Sequence, residues 1–206
     1  MDSNLSEEDQ ISYKTKLTSI FKYYLAEGEL DDKEFKKIQW ETKTHELVSL
    51  AINKFFDENE DKLAVFIAYF RKLFEKKLIS LIDIQQGLAL LFNQLPLIEA
   101  DIPHLPSTLS KFLLDISFGD QKLIDFKDLH IHTLERKEDT DISIYVKLVA
   151  VLTQKLQEKG AGTTEALFRD LKFDQLLENI KFKEFEDWEY VMDTLKEEFQ
   201  VPEQFL

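Results

Sequence analysis

The chain has no cysteine among its 206 residues. That excludes disulfides, thiolate metal sites and cysteine nucleophiles together, and it suits a reducing compartment. Glycine (5) and proline (4) are almost as scarce, leaving too few turns for a sandwich or barrel of many short strands. The longest unbroken apolar run, Leu63 to Phe70, is far short of the ~18 residues that suggest a membrane span. Positive charge is also in deficit: Lys+Arg 26 against Asp+Glu 40 gives a net charge of −14. Phosphate contacts need a basic footprint, so direct nucleic-acid binding is not expected, nor is docking on an anionic membrane. The opening MDSNLSEEDQ is acidic and polar, unlike a signal or transit peptide. The expectation is a monomer of the cytoplasm.

What is present is helical periodicity. The composition, 44% hydrophobic and 32% charged, is globular, and the apolar residues recur at three and four. Leu17, Ile20, Phe21, Tyr24 and Leu25 share one face before Gly28, a natural left-handed stop. Asp31 or Asp32 can cap a short helix carrying Phe35 and Ile38. Leu47, Leu50, Ala51, Lys54 and Phe55 outline a third helix; Leu63, Phe66, Ile67, Phe70, Leu73 and Phe74 outline a fourth. Leu81, Ile84, Leu88, Leu91 and Phe92 give a fifth, expected to end near Pro96 because proline blocks the helix. Leu109, Phe112, Leu113 and Ile116 face inward on a sixth. A short amphipathic piece around Leu123 to Leu129, a strong helix from Ile144 to Leu156 and two or three Phe- and Glu-rich helices from Phe173 to Phe199 follow. The fold class is all-α, a HEAT-like stack of antiparallel pairs of about ten helices. The expected division is a flexible acidic N-terminus (1–12), a helical core (13–134), a charged connector (135–141) and additional helices packed on the core (142–206).

Motifs for chemistry are missing. No glycine stands in a phosphate-loop pattern, no serine in a nucleophile elbow, and the acidic run Asp57 to Asp61 lacks the ligand spacing of a calcium loop. His130 and His132 could chelate only in an extended segment, and no third ligand stands near them, so they read as solvated side chains. No enzyme, metal or cofactor is expected. The basic cluster Arg71, Lys72, Lys76 and Lys77 reads as a solvated helix face, and the acidic-aromatic tail Phe182 to Phe199 as a last helix with its apolar side buried.

The break between the fifth and sixth helices is the most informative stretch. Three prolines, Pro96, Pro103 and Pro106, stiffen the segment, so it loses little entropy on docking. It carries Glu99 and Asp101 at alternate positions, and rigid exposed acids suit a basic surface on a protein partner. Capping of the next helix by Asp101 is the equal alternative.

The stretch from Gly87-Leu88 through Leu95-Pro96 to Glu99-Ala100-Asp101-Ile102-Pro103-His104, with the upstream Tyr23-Tyr24-Leu25, Gly28 and Asp31, resembles the MA-three domain, a HEAT-like helical module of translation-control proteins. Val149 to Glu178 and Glu186 to Phe199 resemble the extra helices that follow this module in the factor 4 gamma scaffolds. The resemblance implies a noncatalytic module that binds the DEAD-box RNA helicase initiation factor 4A in cap-dependent translation initiation, with other initiation factors as further partners. It places the contact on Glu99 and Asp101 in the turn Asp101-Ile102-Pro103-His104. Leu97 stands where the family often has a further acid. Two alternatives are an inhibitor of the same helicase, like programmed cell death protein 4, and a HEAT-like adaptor for another protein.

Overall fold

A computed structural model describes residues 5–56, 62–102, 104–117 and 122–129, with isolated helical positions at 148, 151–152, 154–155, 158, 192–193 and 196–197. Among the described residues there are six α-helices and no strand. The helices are α1 (Glu7–Glu27), α2 (Asp32–Glu41), α3 (Thr44–Phe56), α4 (Leu63–Glu75), α5 (Leu81–Asp101) and α6 (Leu105–Ser117), followed by a 3₁₀ turn at Phe126–Leu129. The remaining expected helices, the connector 135–141, the acidic run at 57–61 and the tail 182–199 lie outside the described residues. The chain divides into two compact units, Met1–Gln94 and Leu95–Leu206.

In the first unit several helix ends are set by capping groups. Ser6 caps α1 by accepting from the Asp9 amide at 3.2 Å, and its hydroxyl donates to the Asp9 carboxylate at 2.6 Å. This cap satisfies one of the amide donors that a helix start leaves bare. It sets the helix start at Glu7, six residues upstream of the expected core boundary. Gly28 ends α1 with φ +70° and returns its amide to the Tyr24 carbonyl, a conformation that glycine adopts without strain. Asp31 caps α2 through the Glu34 amide. Ser80 and Asp83 form a reciprocal capping box at the start of α5, with Ser80 N–H donating to the Asp83 carboxylate at 2.8 Å and Asp83 N–H to the Ser80 hydroxyl at 3.2 Å.

The core of this unit is aromatic. The Phe55 ring of α3 stacks on Phe66 of α4 with centroids 4.0 Å apart and planes at 10°. Phe21 of α1 meets Phe55 edge-on at 5.0 Å and Tyr69 at 5.2 Å. Such pairs add about 0.5–1.5 kcal/mol each beyond their area burial, so one cluster ties three helices. Gly87 of α5 lets the backbone come close to α3: a Cβ there would lie 2.6 Å from Val48 Cγ1 and 2.9 Å from the His45 carbonyl oxygen.

Between α2 and α3 a single carboxylate organises the turn. Glu46, in the first turn of α3, is buried and accepts from the Thr42 hydroxyl at 2.8 Å. Gln39 donates to Thr44 Oγ1 at 3.2 Å and to the Leu78 carbonyl at 2.6 Å. The turn holding Leu78 closes α4 as a Schellman motif. Leu78 N–H reaches the Leu73 carbonyl and Lys77 N–H the Phe74 carbonyl, both at 2.9 Å, with Lys77 at φ +58°.

In the second unit α6 buries nearly its whole length, including Leu109, Phe112, Leu113 and Ile116. The Ile116 carbonyl accepts from Leu123 N–H at 2.7 Å and Ile124 N–H at 3.2 Å. Ser110 donates to the Pro106 carbonyl at 2.7 Å and lies 3.4 Å from the carbonyl of Leu148.

One expectation is overturned: the fifth helix does not end near Pro96. It continues to Asp101, and Ile102 N–H closes on the Ile98 carbonyl at 3.0 Å. An interior proline removes one helical hydrogen bond and costs ~3 kcal/mol. Leu91, Leu95, Ile98 and Ile102 form a helical stripe across it and are all buried. Burial of each such side chain is worth about 1.5–3 kcal/mol, and together they outweigh the proline.

Candidate partner-binding site

The acids expected on an irregular proline turn lie instead on regular backbone. Positions 99 and 101 belong to the last turn of α5, where residues two apart are separated by about 200° around the axis. The connection to α6 is only three residues long, Ile102 to His104. Ile102 is buried, 4% exposed, and its carbonyl accepts from Leu105 N–H at 3.0 Å. Within the expected contact set it supports the turn from inside. Pro103 lies outside the described residues. His104 is exposed, and its carbonyl accepts from the Thr108 amide at 3.1 Å and the Thr108 hydroxyl at 3.2 Å. Because that carbonyl takes the first helical bond of α6, His104 holds the N-cap position. Asp101 is the last residue of the preceding helix.

The electrostatic setting of the two acids follows from that placement. A helix carries partial negative charge at its C-terminal end. The last turn of α5 contains no basic residue, so the backbone disfavours carboxylates at 99 and 101.

Elsewhere, charge is used internally. Of the expected basic face on α4, Lys72 pairs with Glu75 at 3.0 Å and Lys76 with Asp32 at 2.8 Å; the hydrogen bond to Glu75 raises Lys72 above the ordinary lysine range. A cleft of about 460 Å³ between α1 and α2 is floored by Ile20 and Ile38 and edged by Tyr23. Two ion pairs wall it, Lys16 with Glu41 at 2.7 Å and Lys37 with Glu34. Among the described residues no three His, Cys, Asp or Glu side chains are grouped to hold a metal ion. No described helix is long and apolar enough to cross a membrane.

One surface was not expected from the sequence. Trp40 stands 90% exposed near the end of α2, and Lys33, Lys36 and Lys37, also exposed, precede it. The spacing i, i+3, i+4, i+7 in Asp32-Lys33-Glu34-Phe35-Lys36-Lys37-Ile38-Gln39-Trp40 was the available signal, since it puts the four on one face.

The sequence model of the MA3 domain matches residues 13–117, just over half of the chain. MA3 (the MA-three domain) is a helical protein-interaction module found in eukaryotic initiation factor 4 gamma and in programmed cell death protein 4. No curated protein and no solved structure matches the chain.

Proposed function

The chain belongs to the MA3 domain family, and from that membership we propose that it is a noncatalytic scaffold segment of a cytoplasmic translation initiation factor, similar to factor 4 gamma, that binds the DEAD-box helicase initiation factor 4A and modulates its activity. The single observation that carries the reading is the pair of acids, Glu99 and Asp101, on the last turn of α5. They oppose the helix dipole and stand next to the three-residue connection from α5 to α6. A basic surface on a helicase lobe suits acids at this helix end. The HEAT-like stacking of about ten helices belongs to the same proposal.

Isothermal calorimetry against the cognate helicase tests it, with the wild-type chain and Glu99→Gln/Asp101→Asn. Micromolar or tighter binding that is lost in a folded double variant supports both partner and site. Tight binding that the variant leaves unchanged moves the site elsewhere, and no binding at all removes the helicase. ATPase rates then separate a supporting scaffold from an inhibitor. Leu97, replacing a family acid, favours one further reading, a HEAT-like adaptor for a different protein.

A further inference from the structure

We propose that the outward face of α2, Lys33, Lys36, Lys37 and Trp40, is a second docking surface, and that it takes a short acidic segment of a partner protein carrying an apolar side chain. The argument starts from where the acids of this helix and its cap are spent. Asp31 accepts from the Glu34 amide, Asp32 pairs with Lys76, Glu34 pairs with Lys37 and Glu41 pairs with Lys16. Every carboxylate of the segment is committed inside the molecule. Lys33 and Lys36 are exposed and make no ion pair among the described residues, so the face is net positive on a chain whose total charge is −14.

Trp40 adds the apolar part. An indole left 90% exposed forgoes one of the largest burial gains available to a side chain, and tryptophan is the residue type most enriched at the energetic centres of interfaces. From Lys33 to Trp40 the face runs ~10 Å along the axis. The α1–α2 cleft of about 460 Å³, which Lys37 also lines, gives neighbouring room for a bound side chain. The size and setting select the partner class. Two lysines unpaired among the described residues, on ~10 Å of helix, match a few carboxylates, whereas a nucleic-acid strand needs a longer basic track and would meet the surrounding negative field.

The test is fluorescence anisotropy with a fluorescein-labelled Glu-Glu-Glu-Leu-Phe-Glu-Glu-Glu peptide, the same peptide with lysine replacing every glutamate, and an oligouridylate of similar length. Wild type, Lys33→Glu/Lys36→Glu, Trp40→Ala and Glu99→Gln/Asp101→Asn are compared after circular dichroism confirms each fold. If charge reversal unfolds the chain, Lys33→Ala/Lys36→Ala replaces it. The acidic peptide is expected to bind and the basic one not. Binding should weaken about tenfold or more in the lysine and Trp40 variants and stay at the wild-type level in the Glu99/Asp101 variant. That last arm keeps this surface distinguishable from the proposed helicase site. No binding of the acidic peptide, or binding indifferent to the α2 variants, overturns the proposal. So does tighter binding of oligouridylate through the same residues, which would make the face a nucleic-acid contact.

Discussion

The side-chain amide of Gln39 donates to the main-chain carbonyl of Leu78 at 2.6 Å, joining the end of α2 to the turn that closes α4. The same nitrogen also reaches Thr44 Oγ1 at 3.2 Å, so one half-buried amide serves three segments. Gln39→Ala removes both contacts and leaves a carbonyl without its donor. It should destabilise the fold by about 1–3 kcal/mol, read as a lower urea midpoint at unchanged slope.

Lys77 sits at φ +58° as the left-handed residue of the Schellman turn. A side chain there costs roughly 1–2 kcal/mol, and glycine regains most of it, less the freedom it adds to the unfolded chain. Lys77→Gly should therefore raise stability by about 0.5–1 kcal/mol, although glycine destabilises most helix positions. Thermal unfolding would show the gain.

Gly87→Ala should move stability the other way. Its new methyl would enter the contact distance of Val48 and the His45 carbonyl, and overpacking of this kind costs about 1–3 kcal/mol. Val48→Ala in the same chain should recover part of the loss, because Val48 is movable side chain and the His45 oxygen is backbone. A double-mutant cycle measures the coupling; strict additivity would show that α3 and α5 do not press together here.

Tyr69 buries its hydroxyl without a hydrogen-bond partner among the described residues, and burial pushes its ionisation well above the ordinary tyrosine value. The folded state then holds its proton more tightly than the unfolded state. Stability from this group is complete below pH ~10 and falls as the unfolded phenol ionises above it. Tyr69→Phe removes the unsatisfied hydroxyl, so it should be neutral or stabilising by about 1 kcal/mol near neutrality. It should also flatten the loss of stability above pH ~10. Denaturant curves across that range decide it.

The acids of α5 give a prediction with two opposed readouts. Glu99→Gln/Asp101→Asn should stabilise the folded chain by about 0.3–1 kcal/mol per charge removed, since each opposes the dipole, while helicase affinity falls. Wild-type affinity should also drop as the Debye length contracts from ~10 Å at 0.1 M salt to ~3 Å at 1 M. Loss of both stability and affinity in the variant would mean that the acids hold the turn together.

The sequence disclosed α1 to α4 and α6 through apolar spacing and through Gly28 and Asp31, because caps and periodicity are local signals. The start of α1 was written in Ser6 and Asp9, inside the stretch 1–12 expected from its composition to be a flexible acidic N-terminus. Pro96 misled for a different reason. Proline rules concern one residue and its predecessor, whereas the burial of Leu91, Leu95, Ile98 and Ile102 depends on the rest of the fold. The positions of Glu99 and Asp101 were legible as a motif, but their place on a helix end was not. The lysine face of α2 was legible as spacing alone; the internal pairing of its acids, which gives the face its charge, required coordinates.

Trp40 also has an optical consequence. An indole already in water emits with a fully relaxed, red-shifted spectrum, and unfolding brings it no new solvent. Residue 40 is therefore nearly silent during denaturation, whereas any group that covers it shifts the emission to the blue. The molecule carries a chromophore that ignores its own unfolding and responds to company.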